Sequence, residues 1–574
     1  MKRAGSLALA VLFVLTLLFG LAACGKTEAV GTTAVPETLS QTTTAATEAP
    51  FDPPVSYRGH EIIDGTYTLG RTTYPFRYSD GMFEDDPRVY GTHLATASMS
   101  ITHAATKGSD RNNDFTNASD QVASILTQIG FGSIWISPSY TVVPTTDSVA
   151  CVFAEKAIGN SRGIKRVISV TFRSGGYDAE WASNFLLGYE GEAQGVAACA
   201  ERALNEYLSS FLSDKPDLSS AIERGEVAFW VAGYSRGGGI ANLFAKRLID
   251  RYHDTSNEIF AYCIEAQRAG VREEEDPAID YSSIHNVVNP NDPVVYLSPA
   301  PMGFVRYGVD HYLYSDPADS ENPIRDERGR ATSDNKRYEI ITEKRASLVK
   351  KHLIALLGDE EAAERYMPRT VLYKGLNVFT NEISDQKRLT RTASFIEAML
   401  DGLSQTKDGD PVTDRNAYVD CGMEAAFGRM MRFLNTGFDI RYVPLDLDSL
   451  KQAFADAAAE CKDALTANVV WAYGKATVDL HTDAARILTD ALTPRLKENA
   501  SLRELFAAYP DGGAETALAD LSLLLYRILY ATVNLDDLVT LAFNFEALTM
   551  NHENVHNLAL LRTYDSWFDA NGTD

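Results

Sequence analysis

Cysteine is scarce in this 574-residue chain, and positive charge is in deficit. The six cysteines, Cys24, Cys151, Cys199, Cys263, Cys421 and Cys461, include no C-x-x-C pair. Neither a zinc site nor a disulfide framework is therefore called for, and the five after Cys24, odd in number and widely spread, are expected to be buried free thiols. Lys and Arg number 53 against 78 Asp and Glu, a formal net charge of −25. Nucleic acid is held by basic side chains on phosphate, so it is excluded as a partner, and no basic run is present to meet an anionic lipid surface. The acidity fits a soluble body in an extracytoplasmic setting. Asp408-Gly-Asp410-Pro411 is too short to supply the spaced ligands of a calcium loop. No metal or cofactor is expected, and no internal repeat is present.

The N-terminus carries Lys2 and Arg3, then an apolar run from Leu7 to Leu21 that is short for a membrane span, then Leu21-Ala22-Ala23-Cys24. This layout resembles the lipobox signal of bacterial lipoproteins. The resemblance implies that residues 1–23 are removed and that Cys24 is lipidated. The protein would then be tethered to the cell membrane on its extracytoplasmic face, where more than one acyl chain gives stable anchoring. Residues 24–55 are rich in Thr, Ala, Glu and Pro with almost no large apolar side chains, the composition of a flexible stalk.

The chemistry is announced at Gly233-Tyr234-Ser235-Arg236-Gly237. The apolar run Val227–Ala232 before it predicts a strand buried on both faces, and Ile240, Leu243, Phe244 and Leu248 after it recur at helical spacing. A G-x-S-x-G between a buried strand and a helix is the setting of a nucleophile elbow, where the serine projects from a sharp turn. Further strands are expected at 131–137, 149–155, 166–172, 259–264 and 284–289, and helices around 95–105 and 121–130 and over 178–187 and 192–212. Alternation of strands and helices predicts an α/β-hydrolase-type fold: a mostly parallel sheet with helices on both faces. It would occupy residues 56–343. Residues 344–545 show helical pattern with few strand runs, including a capping-box signature at Ser501-Leu-Arg-Glu504. They are expected to form a large helical insertion, a cap, with residues 546–574 returning to complete the hydrolase domain. Apolar stripes such as Phe395–Leu400 and Met430–Leu434 within it could line an acyl pocket or serve as plain core.

A serine nucleophile needs a histidine to take its proton and an acid to orient that histidine, in the order serine, acid, histidine along this architecture. Asp292 follows one strand and Glu265 ends the strand before it; Asp292 is the choice, Glu265 the competitor. Oxyanion donors are expected from the backbone N–H of Arg236 and from the Gly-rich turn Arg173-Ser174-Gly175-Gly176, with Gly175 the residue chosen there.

Taken together, Val170-Thr-Phe-Arg-Ser-Gly-Gly176 with Glu180-Trp181, then Gly233-Tyr-Ser-Arg-Gly-Gly238, then Val288-Asn-Pro-Asn-Asp-Pro-Val294, resemble the class 3 lipases and their bacterial lipase-like relatives. The resemblance runs from about Phe131 to Tyr307. It departs from the family at Ser174, usually Gly, at Gly175, usually Ser or Thr, and at Tyr234, usually His. The stretch His552-Glu-Asn-Val-His-Asn-Leu-Ala-Leu-Leu-Arg-Thr-Tyr-Asp565 resembles the C-terminal histidine segment of lipase-like proteins that carry an insertion. That likeness implies His552 as the base, ahead of His311 and His556. The function so implied is a serine ester hydrolase cleaving carboxylic esters, lipids among them, through an acyl-enzyme on Ser235. The alternatives are a catalytically silent surface binding scaffold on the same fold, or an acyltransferase or peptidase using the same triad.

Overall fold

Every side chain of Val227–Tyr234 is buried, yet alternate residues leave on opposite sides: Val227, Phe229 and Val231 into one apolar cluster, Ala228, Trp230, Ala232 and Tyr234 into another. A strand with period-two alternation and no polar face must lie inside a sheet covered on both sides. The computed structural model describes residues 56–70, 72–106, 116–176, 178–272, 279–314, 343–367, 375–377, 382–384, 411–437, 446–472, 475–478, 483–507, 509–530 and 551–571. Within them the strands β1 (Gly132–Ile136), β2 (Cys151–Ala157), β3 (Arg166–Phe172), β4 (Val227–Tyr234), β5 (Glu258–Ile264), β6 (Ile284–Val288) and β7 (Val309–Tyr312) form one sheet. They lie side by side in chain order. From β3 to β7 all pairs are parallel, while β1 and β2 pair antiparallel. The sheet is thus mostly parallel, as the alternation suggests, with an antiparallel edge. The connections 137–150 and 158–165 hold nothing longer than one 3-10 turn, and strands joined without a crossover helix pair antiparallel.

Helices α1 (Thr92–Ala104) and α2 (Thr116–Gln128) precede the sheet. Helices α3 (Asp178–Ser183), α4 (Gln194–Glu206) and α5 (Pro216–Glu223) join β3 to β4, and α6 (Arg236–Tyr252) joins β4 to β5. Helices α4 and α6 bury Cys199, Ala203, Ile240, Leu243 and Phe244 on the face that receives Phe229 and Val231. The opposite face is covered by Leu94, Met99 and Ile101 of α1, by Val349 and Leu353 of α7 (Glu343–Leu357), and by Leu558 and Leu561 of α8 (Asn554–Asn571). Helices from before and after the sheet thus meet on one side of it.

Between residues 343 and 530 the described residues are mostly helical, with two short hairpins, Gly375–Asn377 on Glu382–Ser384 and Val469–Ala472 on Lys475–Val478. Phe395–Leu400 lies outside the described residues. Met430, Met431 and Phe433, in the helix Met423–Gly437, are buried in the cluster that continues into the sheet's α4–α6 face. The helix Ala500–Phe506 is capped by Asn499, whose Oδ1 accepts the Leu502 N–H at 3.0 Å. The capping box expected from Ser501 is therefore displaced: the Ser501 hydroxyl donates to Asn499 Oδ1 and accepts the Asp446 N–H. Cys151, Cys199, Cys263 and Cys461 are buried thiols and Cys421 a half-buried one, none of them paired. Among the described residues no helix is long and apolar enough to cross a membrane. Residues 1–55, with Cys24 and the expected signal and stalk, lie outside them.

One contact between the helical region and the sheet body stands out. The helix expected over 178–187 stops at Ser183, and residues 184–191 turn with Gly188 at φ 66° and Gly191 at φ 68°. Arg415 captures the carbonyls this irregular stretch leaves free: Nε to Gly188 O at 2.6 Å, Nη1 to Gly191 O at 2.7 Å, and Nη2 to Glu190 O at 3.0 Å and to Leu187 O. Glu424 accepts the Leu187 and Gly188 N–H groups, Tyr418 donates to Phe185 O, and Phe185 stacks on Phe427 with ring centroids 4.1 Å apart. Side chains from residues 415–424 thereby hold the carbonyls of Phe185, Leu187, Gly188, Glu190 and Gly191 and the N–H groups of Leu187 and Gly188, beside backbone bonds to Ala182, Ser183, Gln194 and Gly195. Replacing Arg415 with Ala takes the donor from the buried Gly188 carbonyl and leaves that of Leu187 only the Gln194 N–H at 3.3 Å, and an expected loss of about 2–4 kcal/mol follows. Urea denaturation measures it; an unchanged midpoint contradicts the clasp.

Candidate active site

The elbow forms because glycine flanks Ser235. A Cβ on Gly233 would come 2.0 Å from Gly237 O, and one on Gly237 would come 2.7 Å from Arg173 O, so neither position has room for a side chain. Ser235 itself is at φ 59° and ψ −127°, a conformation that costs a non-glycine residue about 1–3 kcal/mol. Its N–H donates to Ile264 O at 2.9 Å and its carbonyl accepts from Gly239 N at 3.1 Å, which fixes the turn between β4 and α6. The hydroxyl therefore stands at the carboxyl end of the sheet. Here the loops after β3, β5 and β6 also arrive.

The last of them, together with the C-terminal segment, supplies the partners. His552 Nε2 lies 2.8 Å from Ser235 Oγ, and its Nδ1 lies 2.5 Å from Asp292 Oδ2. All three side chains are buried. Asp292 sits in the loop after β6, and its other oxygen accepts the Val294 N–H at 2.8 Å. His552 precedes α8, the helix on the far face of the sheet. Of the competing histidines, His311 is on edge strand β7, stacked on Tyr90 at 4.1 Å and 3.1 Å from His285 Nδ1. His556 is buried one turn into α8. It is His552 that the Ser235 hydroxyl meets. Glu265 does not replace Asp292; it lies beside it, fully buried at φ 48°, with both oxygens accepting the Asn289 N–H at 2.9 Å.

The imidazole is held from below by groups the motif search passed over. Tyr234 donates its hydroxyl hydrogen to His552 O at 2.5 Å, and its ring stacks on the imidazole with centroids 5.3 Å apart. Asn557 Nδ2 donates to Asn551 O at 2.9 Å and to the Tyr234 hydroxyl at 3.2 Å. Asn289, in the acid loop, donates to Asn551 O at 3.2 Å and to Asn557 Oδ1 at 3.1 Å. The Tyr that replaces the family's usual His before the serine is thus the residue that grips the histidine loop. Only that departure was a signal in the sequence; nothing in the spacing points to Asn289 or Asn557. Burial lowers His552 from 6.5 to about 4, with a neighbouring carboxyl pulling the other way. The ring is therefore neutral at neutral pH, as a proton acceptor must be.

On the other side of Ser235 the loop after β3 comes against the elbow: a Cβ on Gly175 would lie 3.6 Å from Arg236 Cβ. The Arg173 N–H is committed to Ala150 O and the Gly176 N–H to Glu180 Oε2. Among the described residues the N–H groups of Ser174, Gly175 and Arg236 have no acceptor. Glu180 anchors this loop through Arg173 Nη2 at 2.6 Å, and Arg236 Nη1 lies 3.9 Å away. Arg236 buries its guanidinium under the loop, on Ser183 Oγ at 2.8 Å, Ser148 O at 2.8 Å and Cys199 Sγ at 2.9 Å. Its backbone N–H, not its charge, faces the serine side. Among the described residues no group of three or more His, Cys, Asp or Glu could hold a metal ion.

Residues 170–302 match the family model described as lipase (class 3). No curated protein matches the chain. Among solved structures, the Rhizomucor miehei triacylglyceride lipase is similar at 19% identity, covering 38% of this chain and 78% of that one with a TM-score of 0.26. A fungal lipase–inhibitor complex is similar at 18% identity, covering 40% and 83% with a TM-score of 0.29. The lipase from Rhizopus microsporus var. chinensis is similar at 14%, covering 39% and 76% with a TM-score of 0.26. The chain has an α/β-hydrolase-type sheet whose residues 170–302 resemble the class 3 lipases.

Two outcomes follow from this geometry. Tyr234→Phe removes the donor to His552 O, which frees the histidine loop; stability is expected to fall by about 1–3 kcal/mol and turnover by about 10-fold. Equal kinetics and an equal unfolding midpoint in the variant would show that the hydroxyl holds nothing. The pH profile of turnover should keep its acid limb below the ordinary histidine value of 6.5 and lose activity as pH falls towards about 4, where the buried imidazole takes up a proton. Half-loss at or above 6.5 would contradict a buried neutral base.

Proposed function

We propose that the protein is a serine ester hydrolase that cleaves carboxylic esters, lipids among them, through an acyl-enzyme on Ser235. The observation that carries this is the line from Ser235 Oγ to His552 Nε2 at 2.8 Å and from His552 Nδ1 to Asp292 Oδ2 at 2.5 Å, with the serine in a strained turn at the sheet's carboxyl end. Ser235 Oγ gives its proton to His552 Nε2 and bonds to the ester carbonyl carbon. The carbonyl oxygen takes the negative charge and is met by the N–H groups of Arg236 and Gly175, with Ser174 adjacent; a single such donor is commonly worth about 10²–10³ in rate. The imidazolium, steadied by Asp292, returns its proton to the leaving alcohol as the C–O bond breaks. Water then repeats the sequence on the acyl-enzyme and releases the acid.

The match of residues 170–302 to class 3 lipases supports esters over peptides as substrates. Residues 1–23 and Cys24 support the reading that the enzyme works tethered to a membrane outside the cytoplasm, on a stalk formed by residues 24–55. The region from 344 to 545, inserted between the acid and the histidine, is read as a cap over the hydrolase domain.

Purified protein should hydrolyse p-nitrophenyl esters, and Ser235→Ala should lower kcat/KM by about 10⁴-fold or more. A panel of rising acyl chain length, run beside peptide substrates, reads the substrate class. Ester hydrolysis undiminished in the alanine variant would overturn the assignment of the nucleophile. Absence of hydrolysis in the wild type across the panel would favour a silent scaffold.

A further inference from the structure

We propose that the guanidinium of Arg236 is a positioning group for the oxyanion hole: it ties the backbone N–H of its own residue to the turn that brings the second donor, so that one side chain sets the spacing between the two. The inference rests on the hydrolase reading for its kinetic consequence, while the tie itself stands on distances.

Arg236 is the first residue of α6, a helix of 17 residues. A cation there lies against the positive end of the helix dipole, and at 1% exposure this guanidinium has no water to solvate it. Both costs demand compensation, and the path of the side chain shows where it is found. Nε donates to Ser183 Oγ at 2.8 Å, at the last residue of α3. Nη2 donates to Ser148 O at 2.8 Å, in the loop after β1, and to Cys199 Sγ of α4 at 2.9 Å. Nη1 lies 3.9 Å from Glu180 Oε1.

Three of these partners also bear on the turn 173–176. Ser148 is two residues from Ala150, whose carbonyl accepts the Arg173 N–H at 2.9 Å. Glu180 accepts Arg173 Nη2 at 2.6 Å on one oxygen and the Gly176 N–H at 2.9 Å on the other. Ser183 closes the short helix that begins two residues after Gly176. Helix α4 fixes that end in turn, since a Cβ on Gly195 would come 2.1 Å from Ser183 O. The stem of the arginine contributes as well as its head. A Cβ on Gly175 would lie 3.5 Å from Arg236 Cδ and 3.6 Å from its Cβ, so the turn rests on the aliphatic chain. The N–H groups of Gly175 and Arg236 therefore sit on two segments, after β3 and after β4, and share one support. Fixed spacing is what such a site requires, because donors already in place need no reorganisation as the charge develops.

Every substitution at 236 other than proline keeps the backbone N–H, so a loss of rate reports its placement and not its removal. Arg236→Met keeps a stem and removes all the guanidinium donors. It should lower kcat on a p-nitrophenyl ester by about 10²-fold with KM within about 3-fold of wild type, because the two N–H groups act on charge present only in the transition state. The inhibition constant of a trifluoromethyl ketone should weaken by the same factor as kcat/KM. Ser235 Oγ adds to its carbonyl carbon, the serine proton passes to His552, and the ketone oxygen takes the oxyanion's place. Ser183→Ala, a milder change that leaves Glu180 and Arg173 untouched, should lower kcat about 5-fold with the same split. A wild-type kcat in Arg236→Met that is natively folded by near-ultraviolet circular dichroism, or a loss confined to KM, would overturn the proposal. If that variant does not fold, a wild-type kcat in Ser183→Ala overturns it. Hydrogen exchange at the Arg173 and Gly176 amides needs no turnover and should quicken by about 10-fold or more in the folded variant. If the wild type cleaves no ester the hydrolase reading fails, and unchanged exchange at those two amides still decides against the tie.

Discussion

The structure depends on a constraint of chirality. Five parallel strands, from Arg166–Phe172 to Val309–Tyr312, are laid down in chain order without a reversal. Right-handed crossovers between strands added in one direction put their helices on one face. Helices α4 and α6 do lie together on the face that receives Phe229 and Val231. The other face carries Trp230, Phe260, Tyr262 and Ile264, which would be left in water. Only chain outside the crossovers can cover it, and it is covered by α1 from before the sheet and α8 from the far end. Delivery of His552 to Ser235 across a sequence separation of 317 residues is a by-product of closing that face.

Placing a helix is coarser than placing an imidazole to a fraction of an ångström. The finer adjustment falls to a buried polar network. Tyr234 from the nucleophile strand, Asn289 from the acid loop and Asn557 from α8 hydrogen-bond each other or the backbone of residues 551–552. Each segment that contributes to the Ser235–His552–Asp292 line also contributes to this network. Such networks in a low-dielectric interior are stiff when satisfied and expensive when broken. The oxyanion side is organised separately, by Glu180 on Arg173 and the Gly176 N–H, and is continued outward by the stretch 185–191 that Arg415 and Glu424 hold.

Local features of the site were open to sequence reasoning, and distributed ones were not. Ser235 declares itself because a buried run, two sterically required glycines and a helical stripe are contiguous. Asp292 and the Ser174–Gly176 turn are legible for a similar reason: each follows a strand recognisable from β-branched residues. His552 is different, since no spacing rule spans 260 residues from Asp292, and it was reached through likeness to a C-terminal family segment. Glu265 was weighed as an alternative acid, whereas the structure sets both its oxygens on the Asn289 N–H of the loop that carries Asp292, a relation invisible without the third dimension. The early stop at Ser183 was missed because tertiary partners, Arg415 among them, hold the backbone beyond it, and the Asn499 cap because a capping side chain two residues earlier competes with Ser501 for the same helix start. The expectation of a mostly parallel sheet holds; which strands run antiparallel was not legible, because alternation of elements says little about direction when no helix lies between strands.

The central claim is that an imidazole from the far end of the chain activates a hydroxyl on the sheet's rim. The most direct measurement is the second-order rate at which a fluorophosphonate probe labels Ser235 in His552→Ala and in His311→Ala, each checked for native folding by near-ultraviolet circular dichroism. The account predicts that labelling slows by about 10²-fold or more without the His552 ring and keeps close to the wild-type rate without that of His311. The reverse pattern, or equal rates in both variants, would contradict it.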